Sequence, residues 1–290
     1  MKGSRWRHKF SPFRARLQRL LKLPVNSGVY SLKLLNLMLI SICIPVGPSE
    51  KFADVRITID SVLNKSEGEA ELVIKIFESH LSDEIQNYIK NFNLNVKLIE
   101  GQDNGIYDAF NICAQAASGD FLIFLGCGDE FLGFRNVKDI FENKAYVNSN
   151  VIYAGVKIYD GKKYMAFDNR CFFGERRLFP WRNPCHSQGL IYKRVWFLKN
   201  IFQIDFEPLA DLLHTYKHKI YKIAVWLDQD IVVFKTGGVS NSLDRSAFNR
   251  QLSGVYENCN NFKFSLGYKC LSLLICNVKF FMSKINKKFK

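Results

Sequence analysis

Short apolar runs alternate with amphipathic segments through the first half of the chain. The apolar runs are continuous, as in strands that are buried on both faces of a parallel sheet, and the segments between them repeat apolar residues with the helical period. The predicted order is strand 37–45, helix 52–63, strand 70–77, helix 83–91, strand 96–100, helix 105–117 and strand 121–125, with Pro45 ending the first strand. This alternation predicts an α/β fold with a doubly wound, mostly parallel sheet.

The second half of the chain has a less regular pattern. A strand is predicted at 151–159, followed by an aromatic, basic and loop-like segment at 162–185. A strand and then a helix are predicted within 189–197, a helix at 208–216 and a further strand within 224–234. Because no linker rich in Pro, Gly or Ser interrupts the chain, we expect one domain at 37–245, whose second half forms the other wall of a cleft.

The net charge of +14 is concentrated at the two ends of the chain. Residues 1–23 carry eight Lys or Arg and no acid, and residues 262–290 carry seven Lys and no acid, which leaves the body between them near neutral. Both basic ends also contain bulky apolar residues, a mixture that is typical of segments that lie on an anionic membrane surface. Packing on the domain and nucleic-acid binding are the alternatives; nucleic acid is the least expected, because such tails need fewer Leu and Phe. We therefore treat 1–36 and 246–290 as basic amphipathic segments.

Other compositional features limit the class of protein. No apolar stretch reaches the ~20 residues that a membrane-spanning helix needs. The N-terminus shows no signal-peptide pattern, and the eight cysteines contain no CxxC pair or other metal-ligand spacing. We expect a reduced, cytoplasmic protein, peripheral on the inner face of the cell membrane.

Asp129 is the first candidate for chemistry. It follows the predicted strand 121–125 and the small loop Gly126-Cys127-Gly128. Ligands of open α/β sheets bind beyond the carboxyl ends of the strands. A carboxylate beside small residues leaves room for Mg²⁺ or Mn²⁺ and for substrate phosphates, which these cations bind together with one or two carboxylates. The alternative is that Asp129 caps the next helix.

An ordered series of segments resembles family 2 glycosyltransferases of the type that builds bacterial surface polysaccharides. DNGIYDAFN resembles the family's DxGIYDAMN segment, and SGD followed by FLGCGD is similar to its ATGD and FLNSGD segments. The other matches are TIDSVL, CHSQ, the pair AD and the late turn GGVS. The segments lie at 58–63, 103–111, 118–120, 124–129, 185–188, 210–211 and 237–240.

The chain departs from the family pattern at several places. The family's acidic loop DGxSxD is represented only by the six residues from Glu78 to Asp83. Gly128 replaces the first residue of the acidic pair, so that Asp129 alone remains there. His186 is followed by Ser187 rather than directly by glutamine, and the segment after Asp211 lacks the tyrosine and the second aspartate.

The resemblance implies a GT-A fold with a smaller mixed acceptor-side region, and an inverting, metal-dependent hexosyltransferase that uses a nucleotide diphospho-sugar. It implies Asp211 as the catalytic base and Asp129 as the ligand of Mg²⁺ or Mn²⁺. The implied donor-binding residues are Pro45, Glu78, Asp103, Gly105 and Asp108, and the implied acceptor-side residues are His186, Gln188, Gly238 and Ser240. The expected donor is a UDP-sugar, and the expected acceptor is a glycan or polyprenyl-linked acceptor in lipopolysaccharide, O-antigen or capsule biosynthesis.

Several structural interpretations and rival functions remain open at this point. Asp211 could be a helix N-cap, Asp103 and Asp108 could organise their turn, and His186 could be a structural histidine. Four arginines among aromatic residues at 170–182 could hold an anionic acceptor or lie in a solvated loop. The rival functions are a nucleotidyltransferase, for which the loop after the first strand is a poor triphosphate site, and a catalytically inactive membrane or nucleic-acid-binding adaptor.

Overall fold

A computed structural model describes residues 40–65, 70–78, 81–90, 92, 95–135, 140, 142–169, 172–174, 183–236, 255 and 258. The basic segments 1–36 and 246–290 lie outside these residues, except for Val255 and Asn258. The predicted acceptor-side residues Gly238 and Ser240 and most of the arginine-rich segment at 170–182 also lie outside them.

The described chain is built on one mixed sheet with helices on both faces. Its strands are β1 Ile40–Val46, β2 Ala70–Phe77, β3 Asn95–Gly101, β4 Phe121–Phe124, β5 Glu130–Phe131, β6 Val151–Tyr159, β7 Tyr164–Ala166, β8 Leu190–Lys193 and β9 Val225–Lys235. Its helices are α1 Phe52–Lys65, α2 Ser82–Ile89, α3 Ile106–Ala116, α4 Lys144–Asn148, α5 Arg194–Phe197, α6 Ala210–Lys217 and α7 Ile220–Ile223. The strand order is β3-β2-β1-β4-β8-β6-β9-β5, and β7 pairs with β6 outside this path.

Alternating side chains of the central strands fill two apolar layers. On β1, the side chains of Ile42 and Ile44 pack with α1 and α2, whereas the side chain of Cys43 packs with α3 on the opposite face. The strands β2 and β4 follow the same alternation. Because both faces of these strands are covered, their sequences are nearly continuous apolar runs. The predicted α/β fold with a doubly wound sheet is therefore confirmed.

Strand direction brings the candidate residues to one edge of the sheet. The strands β1 to β4 are mutually parallel, and β8 is antiparallel to both β4 and β6. Because β9 is parallel to β6, it runs in the same direction as β1 to β4. The carboxyl ends of β2, β3, β4 and β9 therefore meet at one edge, where Glu78, Asp103, Asp129 and Lys235 lie.

The structure corrects two details of the predicted elements. Pro45 does not end β1, which continues to Val46. Proline has no N–H to donate to the neighbouring strand, but β4 pairs with β1 only as far as Cys43. No hydrogen bond to β4 is therefore lost at Pro45. The segment at 162–185 is not only loop, because Tyr164–Ala166 returns as β7 to form a hairpin with β6. In the part of the chain that the structure describes, no helix is both long and apolar enough to cross a membrane.

Candidate active site

The loop that carries Asp129 is fastened by polar side chains of α1. Thr58 lies on the buried side of this helix, where its hydroxyl accepts a hydrogen bond from the N–H of Gly128 at 2.9 Å and donates to the carbonyl of Gly126 at 3.2 Å. One turn later, the hydroxyl of Ser61 accepts a hydrogen bond from the N–H of Phe131 at 2.9 Å. The TIDSVL segment therefore holds both ends of the loop that follows β4.

The carboxylate of Asp129 is buried and held mainly by backbone groups. One oxygen accepts from the N–H of Lys235 at 3.0 Å, and the other accepts from the N–H of Gly126 at 2.9 Å and from the side-chain amide of Gln188 at 3.3 Å. Burial, with 2% of the residue exposed, raises the pKa of Asp129 to about 7 against the opposing effect of these hydrogen bonds. The next element is the strand β5, so Asp129 does not cap a helix.

Asp103 is fixed at the end of β3 by a buried lysine that the sequence pattern did not predict. The ammonium of Lys75 in β2 lies 2.9 Å from one Asp103 oxygen and also donates to the carbonyls of Ile76 and Gly101. The other oxygen of Asp103 accepts from the N–H of Gly105 at 3.2 Å. The lysine neutralises the carboxylate and sets its position. The ribose contact expected of Asp103 stays a prediction.

The start of α3 joins the two halves of the protein. A carboxylate oxygen of Glu207 accepts from the N–H of Ile106 at 3.0 Å, across 101 residues of sequence, and so caps this helix. Gly105 precedes the helix with φ +115°, and a Cβ added there would overlap the Glu207 carboxylate. Asp108 accepts from the backbone and side-chain N–H groups of Asn104, both at 2.9 Å, and so organises the turn.

Two other predicted donor-side residues lie at the same edge. Glu78 follows β2 with φ 56°, and its N–H donates to the carbonyl of Gly101 at 3.0 Å. The carbonyl of Pro45 accepts from the Cys127 thiol at 3.1 Å, which ties β1 to the Asp129 loop. These contacts place both residues beside the strand ends, and their roles in donor binding stay predictions.

Asp211 lies in the first turn of α6 and is only partly buried. The N-cap of this helix is Leu209, so Asp211 is not the cap. The hydroxyls of Tyr107, from α3, and Ser187 lie beside the Asp211 carboxylate, but they donate to the carbonyl of Pro208 at 3.3 Å and to the amide oxygen of Gln188 at 3.1 Å. One oxygen of Asp211 accepts from the N–H of Leu212 at 2.7 Å. Burial raises the pKa of Asp211, and the two hydroxyls oppose this rise. A raised pKa brings a carboxylate closer to the range in which it is an effective base at neutral pH.

Gln188 connects the two candidate carboxylates. Its amide nitrogen donates to Asp129, and its amide oxygen accepts from the hydroxyl of Ser187 at 3.1 Å, which itself lies beside Asp211. Asp129 and Asp211 are thus linked through two side chains of the CHSQ segment. Of the sequence-predicted residues, Asp129, Gln188 and Asp211 therefore lie close together, whereas Gly238 and Ser240 lie outside the described residues.

His186 packs between aromatic rings beside Gln188. Its ring lies 4.7 Å from that of Phe234 and 5.1 Å from that of Phe167, measured between centroids. Burial lowers the pKa of His186 to about 4, so the imidazole is neutral at pH 7 and is a weak base. Its Nδ1 is buried without a hydrogen-bond partner among the described residues, and it stays a predicted acceptor-side residue.

A divalent cation would find one protein carboxylate at this edge. The described residues contain no group of three or more His, Cys, Asp or Glu that could hold a metal. Asp129 nevertheless fits the pattern of Mg²⁺ and Mn²⁺ sites that use one or two carboxylates together with substrate phosphates. Among the described residues, no ion pair is formed with its buried carboxylate, and three of its roughly four acceptor positions are used by them, which leaves one.

Five residues that shape this site were not predicted from the sequence, namely Thr58, Lys75, Tyr107, Ser187 and Glu207. Two of these residues could have been recognised in the sequence, because Lys75 interrupts the apolar run of β2 and Thr58 lies on the apolar side of α1. No sequence pattern pointed to Glu207, because its partner lies 101 residues away.

Comparisons with known proteins agree with this fold. In the crystal structure of S. aureus TarS 1-349 in complex with UDP-GlcNAc, 70% of that chain matches 81% of this one at 18% identity and a TM-score of 0.59. The mannosyltransferase PcManGT from Pyrobaculum calidifontis, in complex with GDP-Man and Mn2+, matches over 75% of its chain and 92% of this one at 14% identity and a TM-score of 0.53. At these identities the likeness concerns the fold, and a comparison with curated proteins found no match.

The family model described as glycosyl transferase family 2 matches residues 41–197, which is more than half of the chain. This range begins at the second residue of β1, contains β2 to β4, the Asp129 loop and the CHSQ segment, and ends before Asp211. The resemblance inferred from the sequence motifs is confirmed, and the chain belongs to glycosyl transferase family 2.

Proposed function

We propose that this protein is an inverting glycosyltransferase that moves a hexose from a nucleotide diphospho-sugar to a hydroxyl of a glycan or polyprenyl-linked acceptor. The observation that carries the proposal is the link from Asp129 through Gln188 and Ser187 to Asp211. It joins a carboxylate at the strand edge, where nucleotide diphosphates bind in α/β sheets, to a carboxylate suited to proton transfer. UDP-sugars are the first donors to test, since a structural neighbour binds UDP-GlcNAc.

Asp211 is the proposed catalytic base. The acceptor oxygen attacks the anomeric carbon while the bond from that carbon to the diphosphate oxygen breaks, and the hydroxyl proton passes to the Asp211 carboxylate. The nucleoside diphosphate leaves with the bonding electron pair. A single in-line displacement of this kind inverts the anomeric centre. The hydroxyls of Tyr107 and Ser187 lie beside the base and lower its pKa.

Asp129 is the proposed ligand of Mg²⁺ or Mn²⁺. A bound divalent cation would neutralise charge that develops on the leaving diphosphate. The backbone N–H groups of Gly126 and Lys235 hold the carboxylate in place, and the side-chain amide of Gln188 donates a third hydrogen bond to it. The complex of PcManGT with GDP-Man and Mn2+ supports testing manganese first.

The proposed setting is bacterial surface-polysaccharide biosynthesis, as in lipopolysaccharide, O-antigen or capsule, at the inner face of the cell membrane. The support is the concentration of positive charge in 1–23 and 262–290, which suits an anionic membrane surface. Sedimentation of the full chain and of chains lacking either segment with anionic vesicles tests this location. Binding that is unchanged by both deletions contradicts it.

Thermal unfolding in the presence of nucleotide sugars tests the proposed activity. We expect one donor among UDP-GlcNAc, other UDP-sugars and GDP-mannose to raise the melting temperature, and to raise it further with Mn²⁺, because a cation held by Asp129 would neutralise charge on the diphosphate. A donor at 100 times its dissociation constant adds about 2.7 kcal/mol to the free energy of unfolding. Asp129→Asn should abolish the part of the shift that depends on Mn²⁺.

Glu130→Gln is the matched control, because Glu130 is the neighbouring carboxylate and is exposed on β5. It should keep the shift. Loss of the shift in Glu130→Gln but not in Asp129→Asn would reassign the metal ligand. No shift with any donor would instead favour an inactive transferase-fold adaptor.

A further inference from the structure

Lys235 ends β9 directly beside the candidate donor site. Its backbone N–H donates to Asp129, which fixes the start of its side chain against that carboxylate. Its ammonium lies 3.0 Å from an oxygen of Asp54 in the first turn of α1. The lysine side chain is 48% exposed, so that a ligand at the strand edge can reach the ammonium.

Because Gly128 has no side chain, the side chain of Lys235 can pass close to it. A Cβ added at Gly128 would lie 3.3 Å from Cδ and 3.7 Å from Nζ of Lys235. Gly128 also has φ +87°, a backbone conformation that favours glycine. Any larger side chain at position 128 would therefore crowd the lysine. The ammonium of Lys235 therefore lies next to the position that the first acidic residue of the family's pair would occupy at 128.

The charges around the loop require a cation if an anionic ligand is to bind. Glu50, Asp54 and Asp129 all lie close enough to Cys127, which precedes Gly128, for their charges to add to the effect of burial and raise the pKa of its thiol, and Glu50 also interacts with Asp54 and Lys235. These carboxylates make the surroundings of the loop negative, although they do not form a metal-binding group among the described residues. A diphosphate that approached the loop would be repelled unless positive charge accompanied it.

We propose that the ammonium of Lys235 binds the diphosphate of the nucleotide-sugar donor and stabilises the negative charge on the departing nucleoside diphosphate. Lysine binds phosphate as a flexible point charge. In the donor-free protein the ammonium pairs with Asp54, and because such exposed ion pairs are weak, it can exchange this partner for a phosphate oxygen at small cost. The assignment rests on the proposed function, since it requires a nucleotide-sugar donor at this edge.

Calorimetric binding of UDP and GDP to the full chain tests the assignment, in Mn²⁺ and in chelator, with UMP as a probe of lower charge. For the diphosphate that wild type binds, we expect Lys235→Met to raise the dissociation constant at least tenfold under both conditions. The effect on UMP should be smaller, because one phosphate is missing. Lys235→Arg should restore most of the affinity, because it keeps the charge.

Two further variants separate diphosphate binding from a purely structural ion pair. Asp54→Asn breaks the same pair but removes a negative charge, so it should leave the affinity unchanged or increase it. Lys157→Met is the matched control: Lys157 lies on the neighbouring strand β6, is 46% exposed and pairs with Asp230 at 3.8 Å. It should bind like wild type.

Three outcomes would overturn the assignment. These are unchanged binding in Lys235→Met, equal weakening in Asp54→Asn or Lys157→Met, and a loss in Lys235→Met that occurs only in Mn²⁺. Binding of neither diphosphate to wild type is a different result, because it refutes the proposed function itself.

Discussion

Asp129 and Asp211 are held by two regions of the protein in physically different ways. Asp129 belongs to the regular parallel half, and two of its three hydrogen-bond donors are backbone N–H groups, from Gly126 and Lys235. Asp211 belongs to the irregular half and is only partly buried; its carboxylate accepts from the backbone N–H of Leu212, and the hydroxyls of Tyr107 and Ser187 beside it lower its pKa. Side-chain substitution leaves the backbone donors of Asp129 in place, whereas a single mutation of a neighbouring hydroxyl can change the pKa of Asp211.

The largest effect is expected from removing the proposed base. Asp211→Asn keeps the shape of the side chain but cannot accept the acceptor proton, so turnover should fall by about 10²–10⁴-fold. Steady-state kinetics with the donor identified by thermal unfolding measures this loss. The variant should still bind that donor like wild type, because donor binding is assigned to the other region. Near-normal turnover would remove Asp211 from the mechanism.

Gly105→Ala should break the contact between the two regions. The added Cβ would overlap the Glu207 carboxylate and displace it from the start of α3. Alanine at φ +115° also carries backbone strain, so urea unfolding should show a loss of about 2–4 kcal/mol.

Gly161→Ala is the control, because Gly161 has φ +89° but nothing lies within 4 Å of its added Cβ. It should lose only the strain, about 1 kcal/mol. Equal losses in the two variants would show that the Glu207 contact contributes nothing.

Tyr107→Phe should expose the dependence of Asp211 on its hydroxyls. The tyrosine hydrogen bond lowers the pKa of Asp211, so its removal should raise that pKa further. Because a base must be ionised to act, the acidic limb of the pH–kcat profile should move to higher pH. At a pH below that limb, kcat should fall by roughly tenfold for every pH unit that the limb moves. A uniform loss of kcat without movement of the limb would mean that Tyr107 acts only through packing.

Thr58→Val should have the smallest effect, because the Asp129 loop keeps its backbone contacts. The N–H of Gly128 also donates to the carbonyl of Asp54 at 3.1 Å, so loss of the Thr58 hydroxyl leaves it paired. We expect a loss of about 1–2 kcal/mol in urea unfolding.

Thr215→Val is the matched control for this change. Thr215 is 1% exposed and Thr58 is fully buried, but the Thr215 hydroxyl has no hydrogen-bond partner among the described residues. The control should be neutral or slightly stabilising. A loss in Thr215→Val as large as that in Thr58→Val would attribute both to packing.

The same contrast explains how much could be predicted from the sequence. The strands β2 and β6 have the predicted bounds, and the helices of the parallel half differ from prediction by one or two residues at most of their ends, because local apolar periodicity determines them. The two-residue strand β5 and the five-residue helix α4 are too short to produce a period.

For the site, sequence motifs predicted Asp129 and Asp211 but not what holds them. The contacts of Thr58, Lys75 and Glu207 join residues 68, 28 and 101 positions apart, and no local pattern records such pairings. Tyr107 and Ser187 lie inside matched motifs, yet only the fold shows that both face Asp211.

Ser187 donates its one hydroxyl hydrogen to the amide oxygen of Gln188, and the same hydroxyl lies beside the carboxylate of Asp211, whose pKa it lowers. Gln188 in turn donates to Asp129 at 3.3 Å. Both carboxylates therefore share one small neighbour, so that removal of a single oxygen atom at position 187 would alter the surroundings of each of them.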